Sequence, residues 1–227
     1  MLNKLRIYRP MVESQFFKFM ANNTFPHHVM KLWNWATHRL SGLTGTIIAR
    51  IKLALNGCHA GRGFKVFGTL LIQACRWGSV SIGDHVTLIS RQKSNLVGIT
   101  QPTTLQTLDN GRISIGTHTG MSGTVISSRT AIVIGSYVKI GGNVRIFDHD
   151  FHSLNHEHRR SPTRDALHTR SKPISIGNDV FIGANAVILK GTQIGDRSII
   201  GAGCVAAGLN IPPDSRVTGN PATIIPV

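Results

Sequence analysis

The stretch IGNDVFIGANAVILKGTQIGDRSIIGAGCV, Ile176 to Val205, repeats one pattern every six residues. Each six begins with isoleucine, and glycine follows it in four of the five sixes. The residue four places after each isoleucine is small or β-branched: Val180, Ala186, Thr192, Ser198 and Cys204. The same phase occurs earlier in shorter blocks that begin at Ile82, Ile115 and Ile134. A period of six fits neither the 3.6-residue period of an α-helix nor the simple alternation of a hairpin.

This period predicts an all-β fold, a triangular β-solenoid. Each six-residue unit forms one short strand and one turn, and three units complete a coil of roughly 18 residues. The recurring isoleucines point inward and stack as an aliphatic column, and the small residues fit inside near each corner. We expect glycine to serve the corners, because it adopts backbone conformations that a Cβ opposes.

Composition indicates a folded protein without a transmembrane helix. The chain has 227 residues, 41% of them hydrophobic, and no apolar run reaches the roughly 18 residues that a transmembrane helix needs. The first ten residues, MLNKLRIYRP, contain no apolar signal-peptide region. Cys58, Cys75 and Cys204 are widely spaced, as in a protein of a reducing compartment. We therefore expect a cytoplasmic protein.

The charge of the chain is concentrated in its first third. The formal net charge is +15, and residues 1–82 contain eleven Lys and Arg but one acid, Glu13. Such a field attracts anionic lipid or acidic glycan, and a solvated basic face is the alternative. No reading-helix or aromatic-basic motif accompanies the charge, so nucleic acid is not an expected partner.

The repeats divide the chain into two predicted parts. Residues 1–56 form a basic, partly helical extension, in which a helix is expected from Pro26 to about Leu40. This helix either lies on a membrane surface or caps the end of the solenoid. Residues 57–227 form the repeat domain, which a loop at residues 147–171 interrupts.

That interruption contains the residues with catalytic potential. The stretch IFDHDFHSLNHEHRR, residues 146–160, holds His149, His152 and two further histidines. A metal site is disfavoured, because the histidines lack a rigid ligand spacing, and no metal is expected. A general base needs one imidazole and one carboxylate that fixes its tautomer, and Asp148 and Asp150 supply the carboxylates. A solvated histidine-rich loop is the third interpretation.

Three blocks of the sequence resemble one known family. They are TVISSRTAIVIGSYVKIGGNVRIFDHDFHSL at 124–154, the repeat at 172–205, and IPPDSRVTGNPATII at 211–225. In this order they are similar to the hexapeptide-repeat acyltransferases, in the group of galactoside, maltose and polysaccharide O-acetyltransferases. The resemblance implies a left-handed parallel β-helix, a homotrimer, and acetyl-CoA as co-substrate.

The resemblance also assigns roles to the loop. It implies that His152 is the general base, with His149 as the alternative. Asp148 is then the preferred carboxylate that orients the base, with Asp150 as the second choice. A direct transfer is expected, because Cys204 occupies an inward repeat position and no other cysteine is poised as a nucleophile.

Donor and acceptor contacts follow from the same resemblance. The pantetheine arm of acetyl-CoA is expected along corner residues, which are Gly183, Ala184, Gly201, Ala202 and Ala207. The cation that follows GNPA in relatives is replaced by Thr223, and Lys190, Arg197 or Arg216 could substitute for it in pairing with the CoA phosphates. Acceptor contacts are expected from Ser128, Arg129 and Asp150.

The resulting hypothesis is an O-acetyltransferase that modifies a sugar hydroxyl of a surface polysaccharide. A lipid-linked sugar acceptor suits the basic first third, which would contact the anionic inner face of the membrane. Two alternatives stay open: an N-acetyltransferase that acts on an amino-sugar nucleotide, and a non-catalytic solenoid that binds glycan or membrane.

Overall fold

The computed structural model describes residues 25–226. It begins with helix α1, Phe25–Leu55. Contacts divide the chain into two compact units, Met1–Leu40 and Ser41–Val227. The predicted boundary between residues 56 and 57 differs from this division and stays a prediction.

Twenty-one short strands follow α1. In chain order they are β1 His59–Ala60, β2 Lys65–Phe67, β3 Leu71–Gln73, β4 Val80–Ile82, β5 Thr87–Ile89, β6 Thr104–Thr107, β7 Arg112–Ile115, β8 Gly120–Ser122, β9 Val125–Ser128, β10 Ala131–Ile134, β11 Lys139–Gly142, β12 Arg145–Phe147, β13 Ile174–Ile176, β14 Phe181–Ile182, β15 Val187–Leu189, β16 Gln193–Ile194, β17 Ile199–Ile200, β18 Val205–Ala207, β19 Asn210–Ile211, β20 Ser215–Thr218 and β21 Thr223–Pro226. A 3₁₀ turn, Gln92–Ser94, and two short helices, α2 His156–Arg159 and α3 Pro162–His168, lie between strands.

The strands form three parallel sheets that the chain visits in rotation. The first sheet has the order β1-β4-β7-β10-β13-β16-β19, the second β2-β5-β8-β11-β14-β17-β20-β21, and the third β3-β6-β9-β12-β15-β18. Each strand up to β17 therefore pairs with the strand that comes three places later in the chain, which is the winding of a three-sided coil. The exception is β21, which folds back antiparallel on β20.

The repeat places its residues as the sequence predicts. The isoleucine that begins each six and the small residue four places later are at most 3% exposed throughout Ile176–Val205. In register they stack on equivalent residues of the next coil, as Ile134 does on Ile176 and Ile176 on Ile194. The prediction of an aliphatic column is confirmed.

The expected role of the repeat glycines is wrong. The glycines that follow the isoleucines do not have positive φ; the left-handed residues come two places later, such as Tyr137 at φ 61° and Asp179 at φ 56°. Glycine is required for a different reason, namely close contact between coils. A Cβ on Gly135 would lie 2.5 Å from the carbonyl oxygen of Gly177.

Helix α1 is longer than its sequence indicates. It continues through residues 41–55, where Gly42, Gly45 and β-branched residues lower helix propensity. The glycines are needed because the helix packs closely on the first coil: a Cβ on Gly45 would lie 2.6 Å from the Val66 carbonyl oxygen. Tertiary contact therefore outweighs local propensity here.

Residues 41–55 cap the end of the coil. The Thr46 hydroxyl accepts a hydrogen bond from the Val66 N–H at 2.9 Å, and the Arg50 guanidinium donates to the Gly61 carbonyl at 2.7 Å. These bonds occupy polar groups that an uncovered coil end would leave open to other chains. None of the helices in residues 25–226 combines the length and the apolar content that crossing a bilayer requires.

Candidate active site

The loop at residues 148–173 leaves the coil after β12 and returns at β13, and its two ends are tied together. His149 and Ser171 form an isolated antiparallel bridge. The Asp150 N–H donates to the Arg170 carbonyl at 2.9 Å, and the Lys172 N–H donates to the Asp148 carbonyl at 2.8 Å. Asp148 to Asp150 are therefore held by backbone hydrogen bonds, although they lie outside the strands.

The Asp148 carboxylate is the most heavily hydrogen-bonded group in this region. Its side chain is fully buried. It accepts hydrogen bonds from the Arg129 N–H at 2.6 Å, the Thr130 N–H at 2.8 Å, and the hydroxyls of Thr130 and Ser128, both at 2.8 Å. Burial alone would raise the pKa of Asp148, but these donors together with His149 outweigh it and lower the pKa. Asp148 is therefore an anion in a buried cradle.

His149 is oriented by that anion. Its Nδ1 lies 3.1 Å from Asp148 Oδ1, and the residue is only 4% exposed. Because the carboxylate can only accept, Nδ1 carries the proton of the neutral ring, and the lone pair is on Nε2. Nε2 is buried and has no hydrogen-bond partner among residues 25–226. A ring fixed at one nitrogen and unpaired at the other is arranged to accept a proton.

His152 belongs to a second histidine–carboxylate pair. Its Nδ1 lies 2.6 Å from Asp165 Oδ2, and the other Asp165 oxygen accepts from the Ser153 N–H at 2.6 Å. The hydrogen bond from His152 is the main reason that the pKa of Asp165 is lowered. The side chain of His152 is 70% exposed, in contrast to that of His149.

The expected pairing of His152 with Asp148 is corrected by these contacts. Asp148 orients His149, and the carboxylate beside His152 is Asp165, which sequence reasoning missed. Asp165 lies in helix α3, thirteen residues after His152. No fixed spacing in the sequence signals this contact, because the intervening chain is irregular and includes α2.

Ser128 and Asp150, both expected to contact the acceptor, are engaged within the protein. Ser128 is fully buried, and its hydroxyl lies within hydrogen-bonding distance of both Asp148 and the Arg112 carbonyl. Asp150 Oδ1 is paired with the Lys190 ammonium, whereas Asp150 Oδ2 is buried without a partner in the described part of the chain. Lys190, the expected phosphate contact, is thus bound to the loop instead.

Arg129, the third expected acceptor contact, fastens the loop to the coil. Its guanidinium pairs with Asp109 and donates to the carbonyls of Ala166 at 2.9 Å and Thr169 at 3.4 Å. Asp109 precedes β7 on the coil, whereas Ala166 and Thr169 lie at the end of α3 and just beyond it. Arg129 therefore bridges the solenoid and the outer part of the loop.

Replacing Arg129 with alanine should loosen the loop without unfolding the coil. The carbonyls of residues 166 and 169 lose a charged donor, and each such hydrogen bond stabilises the loop by about 1.5–3 kcal/mol. The exposed ion pair with Asp109 contributes less. We expect amide hydrogen exchange in residues 163–170 to accelerate about tenfold, measured by mass spectrometry.

The matched control is Arg164→Ala. Arg164 is an exposed arginine of α3 whose side chain makes no hydrogen bond within the described residues, so its removal should leave exchange unchanged. Equal acceleration in both variants, or none in Arg129→Ala, would contradict the fastening role of Arg129.

Comparisons with known proteins match the repeat. Residues 173–206 match the family model "Hexapeptide repeat of succinyl-transferase". The chain is 37% identical over 102 residues to the galactoside O-acetyltransferase of Escherichia coli K12, covering 45% of this chain and 46% of the relative. It is 34% identical over 103 residues to a putative lipopolysaccharide biosynthesis O-acetyl transferase of the same organism, covering 44% of this chain and 52% of the relative.

A solved structure extends the likeness to most of the chain. A hexapeptide-repeat containing acetyltransferase of Vibrio cholerae superposes with a TM-score of 0.50 and 25% identity, over 89% of this chain and 92% of that one. This chain is similar to the hexapeptide-repeat acetyltransferases in its repeat and its fold. It spans about half the length of the curated relatives that it matches. The Vibrio acetyltransferase has also been crystallised in complex with acetyl-CoA.

The residues expected to contact acetyl-CoA fall into two groups on the coil. Gly183, Ala184, Gly201 and Ala202 follow β14 and β17, on successive turns of one corner, and the N–H of Ala202 would lie 2.4 Å from a Cβ on Gly183. Ala207 is instead in β18, in register with Leu189 of β15. Glycine at residue 183 is thus required for coil stacking, which explains this position without a ligand.

Two of the remaining histidines of the loop, His158 and His168, contact each other. The ring centroids of His158 and His168 lie 3.8 Å apart with the rings tilted by 34°, and His158 Nδ1 lies 3.2 Å from the Ser153 hydroxyl. Within the described part of the chain, no three His, Cys, Asp or Glu side chains are grouped as metal ligands would be.

Proposed function

We propose that this protein is an acetyl-CoA-dependent O-acetyltransferase that modifies a sugar hydroxyl, with His149 as the general base. The observation that carries this proposal is the geometry of His149: Nδ1 is held by an anionic carboxylate, and Nε2 is left unpaired beside the loop base. The likeness to a galactoside O-acetyltransferase and to a putative O-acetyl transferase of lipopolysaccharide biosynthesis supports O-acetylation as the reaction class.

The structure favours His149 as the general base, whereas the sequence favoured His152. A base in a buried site works in a low dielectric, where a fixed anion stabilises the imidazolium that forms. Asp148, buried and anionic, provides this for His149. His152 is mostly solvated, and its partner Asp165 also binds the Ser153 N–H, as expected for a contact that shapes the loop.

The chemistry then proceeds by direct transfer. His149 Nε2 accepts the hydroxyl proton as the sugar oxygen attacks the thioester carbonyl, and the imidazolium returns that proton to the departing thiolate. Phe151, half exposed and 4.6 Å from the imidazole ring, is the side chain that turns aside to admit the acceptor. Cys204 does not serve as a nucleophile, because it is buried in the coil and burial raises the pKa of its thiol.

The acceptor, assembly and location belong to the same proposal. We infer a sugar of a surface polysaccharide as the acceptor, a left-handed coil, a homotrimer, and a position on the cytoplasmic side of an anionic membrane. The putative role in lipopolysaccharide biosynthesis of one relative and the basic first third of the chain support this inference. Asp150 remains a candidate acceptor contact, because its buried Oδ2 has no partner among the described residues.

The test is release of CoA thiol from acetyl-CoA with a panel of acceptors. The panel contains neutral hexoses, acidic sugars, lipid-linked sugars and amino-sugar nucleotides. We expect thiol release with a hydroxyl acceptor and a product that mild base hydrolyses, as an ester does. A base-stable amide product would favour N-acetylation, and the absence of thiol release with every acceptor would favour a binding role.

A further inference from the structure

The outer face of helix α1 is apolar and uncovered along residues 43–55. Its apolar side chains recur at helical spacing on one side and are each between 51% and 73% exposed. They are Leu43, Ile47, Ile48, Ile51 and Leu55. Contiguous apolar side chains of this number are unusual on a solvated surface, so the face indicates an interaction site.

The coil itself cannot cover this face. The opposite side of the same helix turns Ala49 and Leu53, each 1% exposed, toward the core. Arg50 and Lys52 direct their charged ends to carbonyls of Gly61 and Leu70 on the first coil. The inner face is thus fully used in capping, and the outer face needs a second partner.

An exposed tryptophan lies just past the end of the helix. Trp77 is 79% exposed, and its ring lies against Gly57, just past the end of α1, where a Cβ would meet it at 2.2 Å. Exposed tryptophan beside an aliphatic face is typical of the boundary between lipid acyl chains and headgroups.

The charge of the surrounding chain identifies the chemistry of the partner. Residues 41–83, which hold this face and the first coil, contain five Lys and Arg and no acid. The side chain of Arg62, at the capped end, is 91% exposed, although its guanidinium lies 3.5 Å from the Asp84 carboxylate. An anionic surface is attracted by this end of the solenoid, whereas a second copy of the same basic end is repelled.

We propose that the outer face of residues 43–55, together with Trp77, docks on an anionic lipid bilayer. The helix lies in the plane of the interface with its isoleucines among the acyl chains. Docking is independent of acetyl transfer, but it would present the catalytic loop to lipid-linked acceptors.

The experiment is co-sedimentation of the full chain with vesicles, without acetyl-CoA or acceptor. Vesicles of phosphatidylcholine alone are compared with vesicles that also contain phosphatidylglycerol. We expect binding to the anionic vesicles that weakens as salt is raised. The double variant Ile47→Ser, Ile51→Ser should lower the partition coefficient by about tenfold or more, because each isoleucine contributes buried apolar area.

The control variant is Val133→Ser, which removes a similarly exposed aliphatic side chain from β10 in the middle of the coil. It should bind anionic vesicles as the wild type does. Failure of the wild type to bind them, or equal binding by the double variant, overturns the proposal. If the wild type does not bind vesicles but forms a dimer or larger assembly that the double variant loses, the face is instead a contact between copies. Thiol release with a soluble sugar, measured separately on the same variants, distinguishes this failure from a failure of the proposed activity.

Discussion

His149→Gln is expected to lower the rate of acetyl transfer by about 10²–10⁴-fold while the protein stays folded, because a positioned general base contributes that factor. Glutamine keeps a polar side chain of similar length beside Asp148, but it cannot accept a proton at neutral pH. His149→Ala should lose as much activity, and a thermal melt of both variants shows whether the loss is chemical or structural. The rate is measured as thiol release at saturating acetyl-CoA.

His152→Gln provides the matched comparison within the same loop. His152 is exposed and paired with Asp165, so we expect its removal to lower the rate by less than about tenfold, through a looser loop. Full loss of activity in His152→Gln with activity retained in His149→Gln would reverse the assignment. A rate unchanged in both would remove the general-base mechanism altogether.

The residue types of this site could be predicted from the sequence, but their pairing could not. The DHD stretch places a histidine between two carboxylates, and sequence alone leaves His149 and His152 as competing bases. The choice depends on which imidazole the backbone buries, and this is set by the bridge between His149 and Ser171. It also depends on the N–H groups of Arg129 and Thr130, which bind Asp148 from the preceding coil. Contacts between a coil and the irregular chain after β12 have no repeat spacing that reveals them.

The fold was predictable because its period is local. Ile176 to Ile200 recur every six residues, and each recurrence fixes one strand and one buried side chain. The role of the glycines was not predictable, since a turn that needs positive φ and a coil that needs close contact both select glycine. The helical conformation of residues 41–55 was not predicted for a related reason. Gly42 and Gly45 indicate the end of a helix unless the first coil, against which they pack, is known.

Gly135→Ala is expected to destabilise the coil by about 3 kcal/mol, the upper part of the range for overpacking a close-packed interior. The new Cβ would lie 2.5 Å from the Gly177 carbonyl oxygen, 2.6 Å from its carbon and 2.8 Å from the Asn178 side-chain oxygen. The backbone cannot move away easily, because the Gly135 N–H donates to the Ile176 carbonyl at 2.8 Å and the parallel ladder fixes the spacing of the coils. For a chain of this size the cost corresponds to a fall in melting temperature of roughly 6–12 °C, measured by far-UV circular dichroism.

Gly120→Ala separates this steric effect from a general effect of replacing glycine. Gly120 also lies in the coil, at the start of β8, and its φ is not positive. A Cβ there would lie 3.9 Å from the nearest atom, the Lys139 ammonium, so the substitution adds no clash. Alanine loses less conformational freedom on folding than glycine, so Gly120→Ala should leave the melting temperature unchanged or raise it slightly. If Gly135→Ala were tolerated as well as Gly120→Ala, close contact between coils could not be the reason that glycine follows isoleucine in the repeat.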